Sequence, residues 1–339
     1  MKWLLITTAK RTPDTLDSNV GDEFARLGIQ RLISAVDLKA EWDLLDKEKD
    51  EAWKPRAFDK AVVCGMPMFW SLPSQDFPWR QSCQNVWWWP RLLRGWASAV
   101  RENFLVMGVG HVYVDRIVSL LDYVNAVQEC INRAFAVVVR EPVIDHPRIV
   151  DTVCPSAFCL YDRGEKRTLR CCNLMAIGGH FGHLTPDGEA WAKQVQAIAD
   201  VLKKRDFHFI AHTQTERRLA LDLGFHHERV HIYGSAREYL DTYAKCERYF
   251  GNRLHGAAVV ASTGAPVWAC SHDSRLGMVR RLGGKTTRTP EATPEAVAAW
   301  ADATLPPSVS QYPLGAEYLR MVALMKSFAD ATAKQPWTE

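Results

Sequence analysis

Short apolar runs alternate with longer amphipathic segments along most of the chain, and this alternation predicts an α/β fold. Runs such as AVVV at residues 136–139 are apolar at every position, which is typical of parallel strands that are covered by helices on both faces. In the first half of the chain, the predicted strands are residues 3–8, 60–65, 104–108 and 135–140, and the predicted helices are residues 22–35 and a segment near 116–133.

A second alternating set follows the charged stretch YDRGEKRTLRCC (residues 161–172), which has the composition of a linker. The strands predicted in this set are residues 173–177, 207–212, 230–233, 248–251 and 266–270, and the helices are residues 187–204, 215–224, 236–245 and a helix from His255 onward. The pattern therefore predicts two doubly wound, Rossmann-like α/β domains that face each other across a cleft. We expect domains at residues 1–160 and 168–305, and a C-terminal segment, 306–339, whose helix (314–328) packs back toward the N-terminal domain.

Length and composition agree with a globular protein of two domains. The chain has 339 residues, a mass of 38.4 kDa and a net charge of +3. No long block of Lys and Arg is present, so we expect no nucleic-acid partner. The nine cysteines are odd in number and form no C-x-x-C pair, which argues against a zinc ribbon or a disulfide framework. The apolar N-terminus is too short for a signal peptide, and a cytoplasmic location is expected.

The strongest candidate for chemistry is the segment YFGNRLHGAAVVAS at residues 249–262. It leads from a strand through glycine into a helix of small residues, and it places Arg253 and His255 where that helix opens. Helix N-termini attract anions because their first N–H groups are unpaired. Taken alone, His255 is equally well explained as a helix cap or a core residue, and Arg253 as the partner of a surface carboxylate. Their position between a strand and a helix favours an anion-binding function.

Two further segments lie at predicted carboxyl ends of strands. Asn19, Gly21 and Asp22 follow the first strand and open the first predicted helix, where a plain N-cap is the alternative explanation for Asp22. Arg140 ends a strand just before Glu141 and Pro142, and the alternative is a surface arginine that pairs with an acidic neighbour. In a doubly wound sheet, both segments point to the edge at which ligands bind.

Histidines and tryptophans supply weaker candidates. His180 and His183 lie three apart among glycines, but no carboxylate accompanies them, so a contact of His180 with substrate is preferred to a metal site. His212 ends a predicted strand and is expected to face the cleft. His226, His227 and His231 are expected to be solvated. A tryptophan- and arginine-rich segment suits a sugar, a membrane interface or a buried helix face, and it comprises Trp87, Trp88, Trp89, Arg91, Arg94 and Trp96.

These motifs resemble the polysaccharide pyruvyltransferase family, whose members resemble GT-B glycosyltransferases in architecture. The resemblance rests on Asn19, Gly21 and Asp22, on the strand end VVRE (138–141), and on GSAREYLDTYAKCERYFGNRLHG (234–256) leading into GAPVWACSHDSR (264–275). It implies transfer of the enolpyruvyl group of phosphoenolpyruvate to sugar hydroxyls, which forms a pyruvate ketal and releases phosphate. The implied partners are phosphoenolpyruvate and a saccharide acceptor that is free or lipid-linked, the latter with peripheral contact at the inner face of a membrane.

The resemblance also implies roles for individual residues. Arg253, the backbone of Leu254, and His255 would hold phosphoenolpyruvate, with Arg140 on one of its anionic groups. Asp22 would lie near the acceptor, and His255 and Asp22 would share the acid and base roles in an assignment that can be exchanged. Asn19, Gly21, His180 and His212 complete the expected substrate-binding set. No cofactor and no metal are required.

Two departures from the family pattern keep other functions open. A glycine-rich run common after the third strand is replaced by Cys64, Gly65, Met66, Pro67 and Met68, and an aspartate common after the linker proline is Ser156. The alternatives are a GT-B glycosyltransferase that uses a nucleotide sugar, and a non-catalytic glycan-binding relative.

Overall fold

The structure is a computed structural model, and it describes residues 1–7, 16, 20–46, 58–65, 69–70, 104–109, 111–112, 132, 134–140, 147–178, 186–272 and 275–331. Contacts divide the chain into two units. Unit 1 comprises Met1–Ala9, Ala25–Phe158 and Gly315–Glu339, and unit 2 comprises Lys10–Phe24 and Cys159–Leu314.

Unit 1 is built on a parallel sheet of six strands in the order β2-β1-β3-β5-β7-β8. Its strands are β1 (Lys2–Thr7), β2 (Glu41–Asp46), β3 (Lys60–Cys64), β5 (Phe104–Val109), β7 (Val137–Val139) and β8 (Ile149–Asp151). A separate parallel pair joins β4 (Phe69–Trp70) to β6 (His111–Val112). Strands β3, β5 and β7 are buried at every residue, as their sequences predict, which are apolar apart from Lys60 at the start of β3.

In the described part of unit 1, two helices accompany the sheet. Helix α1 (Val20–Val36) follows β1, and the last helix, α8 (Leu314–Asp330), buries Met321, Met325 and Phe328. The ring of Phe328 lies 6.0 Å from that of Trp3 and 5.3 Å from that of Phe135. The Nζ of Lys60 donates to the carbonyl of Ala331 at 2.5 Å. Helix α8 is therefore anchored on the first strand of the sheet and its neighbours.

Unit 2 contains a second parallel sheet in the order β11-β10-β9-β12-β13-β14. Its strands are β9 (Leu169–Asn173), β10 (Phe207–Ile210), β11 (Val230–His231), β12 (Cys246–Gly251), β13 (Val267–Cys270) and β14 (Lys285–Thr287). Counted from β9, this is the 3-2-1-4-5-6 order of a Rossmann fold, and the order reverses between β9 and β12. Ligands of such sheets bind beyond the carboxyl ends of the strands at the point of reversal.

Helices connect the strands of unit 2 in the manner of βαβ units. They are α2 (Pro186–Lys203), α3 (Gln214–Asp222), α4 (Ala236–Ala244), α5 (Leu254–Ser262), α6 (Leu276–Arg281) and α7 (Pro294–Asp302). Short 3₁₀ turns are formed by Pro155–Cys159, which follows β8 and precedes β9 in the sequence, by His227–Arg229 and by Thr289–Glu291. The core joins Trp191, Phe207, Phe250, Trp268 and Trp300 with smaller apolar residues. The predicted fold class, with two doubly wound α/β domains, is confirmed.

One predicted strand is displaced. Residues 173–177 were expected to form a strand after a linker, but the strand is Leu169–Asn173, inside the linker stretch. Cys171 and Cys172 are fully buried and act as small apolar residues, whereas Ala176 in the apolar run that follows lies exposed in a turn. The helix predicted near 116–133 lies outside the described residues, apart from Asn132. Within the part of the chain that is described, no helix has the length and apolar character needed to cross a membrane.

Candidate functional site

The turn between β12 and α5 brings Arg253 and His255 to the carboxyl edge of the second sheet, next to the point where the strand order reverses. Gly251 ends β12 so close to its neighbour β9 that a Cβ on it would lie 2.1 Å from the carbonyl oxygen of Asn173. Helix α5 begins at Leu254, and Arg253 is its N-cap. Every residue of α5 is buried, which explains its run of Gly, Ala and Val.

Arg253 is held by a buried carboxylate. Its Nε donates to Oε1 of Glu216 at 2.6 Å, and its Nη2 donates to the same oxygen. Both side chains are largely buried, at 12% and 6% relative exposure. The carboxylate bound by Arg253 here is thus a buried one, whereas the sequence suggested a surface carboxylate as the ordinary alternative.

The other oxygen of Glu216 joins two further groups of the same sheet edge. Oε2 accepts from the backbone N–H of His212 at 2.7 Å and from Nδ2 of Asn173 at 2.8 Å. The Nδ2 of Asn173 also donates to the carbonyl of Ile210 at 2.7 Å. Glu216 thus connects the carboxyl ends of β9 and β10 with the opening of α5.

His255 lies against the first turn of α1. A Cβ on Gly21 would stand 2.4 Å from Nδ1 and 2.9 Å from Cγ of His255. Asp22, next to Gly21, is 1% exposed, and His255 is 7% exposed. The contacts group residues up to Phe24 with unit 2, so Gly21, Asp22 and His255 belong to one compact unit. The structure thus places His255 against Gly21, the residue that precedes Asp22, and Asp22 and His255 are the two residues to which the resemblance gives acid and base roles.

His212 belongs to an aromatic cluster behind this turn. Its Nε2 lies 2.7 Å from the hydroxyl of Tyr243, and its ring lies 5.3 Å from Tyr239 and 6.0 Å from Phe24. Burial raises the pKa of Tyr243 well above its usual value, so the phenol keeps its proton. His212 is 2% exposed. The imidazole of His212 therefore packs inside unit 2, against the aromatic side chains behind the turn.

Asn252 ties together the ends of three strands. Its Oδ1 accepts from the backbone N–H of Met175 at 3.1 Å, and its Nδ2 donates to the carbonyl of Cys270 at 2.8 Å. Its own N–H donates to the carbonyl of Asn173 at 3.0 Å. Asn252 thereby sets the path of the chain just before Arg253.

Arg140 lies in unit 1, at the end of β7, and is fully buried. This rules out the alternative of a surface arginine; its acidic neighbours Glu141 and Asp145 lie outside the described residues. Its Nη1 lies 4.0 Å from Sγ of Cys154, which also accepts from the hydroxyl of Ser156 at 3.1 Å. Ser156, where the family pattern has an aspartate, is thus near Arg140 and is itself fully buried.

Asn19 and His180 lie outside the described residues, as do Met66, Pro67, Met68 and the tryptophan-rich segment. Among the residues that are described, no group of three or more His, Cys, Asp or Glu side chains could hold a metal ion.

His231 was expected to be solvated, but it is half-buried. Its Nε2 lies 2.8 Å from Nδ1 of His208, because β11 pairs with β10. That expectation was wrong.

The sequence did not reveal Glu216, Tyr243 or the buried polar residues that follow β13, which are Ser271, His272 and Arg275. Glu216 is the third residue of α3 and stands three positions after its N-cap, Thr213. The pattern T-x-x-E is typical of a capping box, which is an ordinary explanation for such a glutamate. Only its burial and its contact with Arg253 distinguish it.

Part of the chain matches the model of a known protein family. Residues 145–274 match the family model "Polysaccharide pyruvyl transferase". The resemblance predicted from the motifs is thus confirmed over the segment that holds Ser156, Glu216, Arg253 and His255. No curated protein is similar to the chain at a significant level.

Solved structures support the fold. A UDP complex of MnaA from S. aureus is 11% identical, with coverage of 99% of this chain and 98% of that chain and a TM-score of 0.54. A putative UDP-N-acetylglucosamine 2-epimerase from Listeria monocytogenes is 12% identical, with the same coverage and a TM-score of 0.50. At such low identity the likeness concerns the fold alone, and it agrees with the predicted GT-B-like class.

Proposed function

We propose that the chain is a pyruvyltransferase that moves the enolpyruvyl group of phosphoenolpyruvate to sugar hydroxyls of a glycan or a lipid-linked saccharide. The family match supports an enzyme that modifies glycans. The observation that carries the proposal is the contact of Gly21 with His255, because it sets Asp22 and His255 in adjoining turns at the carboxyl edge of the second sheet.

The chemistry needs a proton donor and a proton acceptor close together. One sugar hydroxyl adds to C2 of phosphoenolpyruvate while C3 takes a proton, and a second hydroxyl then replaces phosphate at C2. One of the two hydroxyl protons is thus balanced by the new methyl group, and the other leaves with phosphate. His255 as the donor and Asp22 as the base, or the reverse, would supply these steps, and such catalysis is typically worth about 10²–10⁴-fold in rate.

Binding of the anionic donor falls to cations and backbone N–H groups. Arg253 and the backbone of Leu254 lie at the N-terminus of α5, a location that favours phosphate and carboxylate groups. Arg140, at the end of β7, is proposed to contact a further anionic oxygen. Neither metal nor cofactor takes part in the proposed steps.

The test is incubation with phosphoenolpyruvate and a panel of glycan acceptors, with phosphate release and the mass gain of the sugar as readouts. Arg253→Ala and His255→Ala are each expected to abolish turnover while the protein remains folded, with Arg253→Ala the less stable of the two because it leaves the buried carboxylate of Glu216 without its cation. Absence of both signals over a broad panel, together with binding of a nucleotide sugar, would favour a GT-B glycosyltransferase instead. Near-normal activity of either variant would refute the proposed site.

A further inference from the structure

Glu216 has an environment that helix capping does not explain. Its two carboxylate oxygens accept from Nε and Nη2 of Arg253, from Nδ2 of Asn173 and from the backbone N–H of His212. In a capping box, the glutamate would reach back to the N–H of the N-cap residue, which here is Thr213. The carboxylate of Glu216 is instead turned to the opening of the next-but-one helix, α5.

A second helix of the same unit has a glutamate that does reach back to its N-cap residue. Helix α4 has Ser235 as N-cap and Glu238 at the equivalent third position. Glu238 is exposed, and its carboxylate accepts from the hydroxyl of Ser235 at 2.7 Å. The two glutamates have the same position in a helix and the same kind of cap, and they differ in burial and in what their carboxylates bind.

The contact with Glu216 restricts the guanidinium of Arg253. Nε and Nη2 lie on one edge of a rigid planar group, so two hydrogen bonds from that edge to one oxygen set the direction in which the edge points. Hydrogen bonds from Asn173 and from the backbone N–H of His212 hold the carboxylate of Glu216 in place. The carboxylate therefore cannot follow the guanidinium if the side chain of Arg253 moves. The side of the guanidinium that carries Nη1 is consequently turned away from Glu216.

We propose that Glu216 is a positioning residue, which holds the guanidinium of Arg253 in the orientation that receives the anionic group of the donor substrate. The importance of Arg253 for a donor anion rests on the proposed function. The positioning itself rests on the buried ion pair alone. A carboxylate that merely stabilised α3 would affect unfolding without changing the reactivity of Arg253.

The first arm of the test needs no substrate. Wild type, Glu216→Gln and the matched control Glu238→Gln are treated with phenylglyoxal, and modification of Arg253 is followed by peptide mass spectrometry. Hydrogen bonds to a charged group lower the population of conformations in which the side chain has left its partner by roughly 10–100-fold. We expect Arg253 to be modified at least about tenfold faster in Glu216→Gln and at the wild-type rate in Glu238→Gln.

The second arm uses a double-mutant cycle on kcat/KM for phosphoenolpyruvate. Glu216→Gln is expected to lower kcat/KM by about 10²-fold, because small misplacements of a binding group have effects of that size. In an Arg253→Lys background the same change is expected to have little further effect, since lysine cannot use the paired edge. Glu216→Asp keeps the charge, should give an intermediate result, and replaces Glu216→Gln if that variant fails to fold.

The outcomes separate the two proposals. Wild-type protein without turnover, but with faster modification of Arg253 in Glu216→Gln, would refute the pyruvyltransferase function and leave the positioning role intact. Unchanged modification of Arg253 would overturn the positioning role. Strictly additive losses in the cycle would also overturn it, because Glu216 would then act on turnover independently of Arg253.

Discussion

The backbone of Gly21 lies directly against the imidazole of His255, so closely that a β-carbon at Gly21 would stand 2.4 Å from Nδ1. Any side chain at position 21 must therefore displace the imidazole or move the first turn of α1, which carries Asp22. Glycine is required at position 21 by the lack of space for a side chain. It is not required by backbone conformation, because the residue lies in the first turn of a helix.

Gly21→Ala is expected to reduce turnover far more than stability. The added methyl group would push the imidazole of His255 by several tenths of an ångström or more, and misplacement by about 1 Å can lower a rate about 10²-fold. Alanine in a helix also gains about 0.5–1 kcal/mol over glycine, which offsets part of the strain. The measurement is kcat/KM beside the free energy of unfolding in urea.

The matched control is Gly315→Ala. Gly315 is likewise the second residue of a helix, α8, but it is exposed and no atom would lie within 4 Å of its Cβ. This variant should keep full activity and gain about 0.5–1 kcal/mol of stability. Equal activity of the two variants would show that the contact with His255 has no part in catalysis.

The hydroxyl of Tyr243 is expected to stabilise the fold through His212. Tyr243→Phe removes the oxygen that lies 2.7 Å from Nε2 of His212 and leaves a buried ring nitrogen without that partner. A loss of roughly 1–3 kcal/mol in the free energy of unfolding follows for such a group. Tyr318→Phe is the control, because Tyr318 is only half-buried and the bond from its hydroxyl to the carbonyl of Arg31 is long, at 3.5 Å. A neutral Tyr243→Phe would contradict this account.

Much of the fold could be predicted because parallel strands of doubly wound sheets are continuously apolar. Strands β3, β5 and β13 are examples in which sequence pattern and structure agree within one or two residues. The predicted position of β9 was wrong because two of its core positions are cysteines in a charged stretch, next to an apolar run that forms a turn. Local hydrophobicity does not show which of two adjacent segments gains neighbours on both sides.

The candidate site divides in the same way. Arg253 and His255 could be found because a strand, a glycine and a helix of small residues follow each other directly in the sequence. Glu216 could not, because its contact with Arg253 spans 37 positions and depends on the pairing of β9 with both β10 and β12. Its local pattern has a sufficient explanation in capping, so nothing nearby signals the longer contact.

Stability is expected to depend on pH through His208 and His231, whose ring nitrogens lie 2.8 Å apart. Burial lowers the pKa of both, with a smaller contribution from Arg229 at His208 and from His208 at His231. The unfolded chain then binds protons at a higher pH than the folded chain does, so stability is complete above about pH 6.5 and falls as the pH decreases below that value.

The check is urea unfolding between pH 5 and 8, a range that brackets the ordinary pKa of histidine, about 6.5. His231→Gln should reduce the slope of the free energy of unfolding against pH by up to about 1.4 kcal/mol per pH unit. His226→Gln serves as the control, because the side chain of His226 is 63% exposed and takes no part in the contact of His208 with His231. Identical slopes in all three proteins would exclude the histidine pair as the cause.

Asn252 is expected to be irreplaceable even by its closest isostere. Asn252→Asp keeps the oxygen that accepts from the N–H of Met175 but turns a second oxygen toward the carbonyl of Cys270, where Nδ2 now donates at 2.8 Å. An ionised carboxylate buried against a carbonyl is costly, so we expect a loss of roughly 2–4 kcal/mol at pH 7. Because this distorts the chain immediately before Arg253, turnover should fall as well.

The pH dependence of Asn252→Asp provides its own control. Burial and the facing carbonyl raise the pKa of the new carboxyl group in the folded state, and its protonated form can donate to Cys270 as Nδ2 does. The folded variant then binds its proton more tightly than the unfolded chain, so its deficit relative to wild type should shrink as the pH falls toward about 4 and widen as the pH rises. Urea unfolding of both proteins across this range measures the deficit. A deficit independent of pH would mean that charge against the Cys270 carbonyl is not its origin, and that Asn252 holds the three strand ends by shape alone.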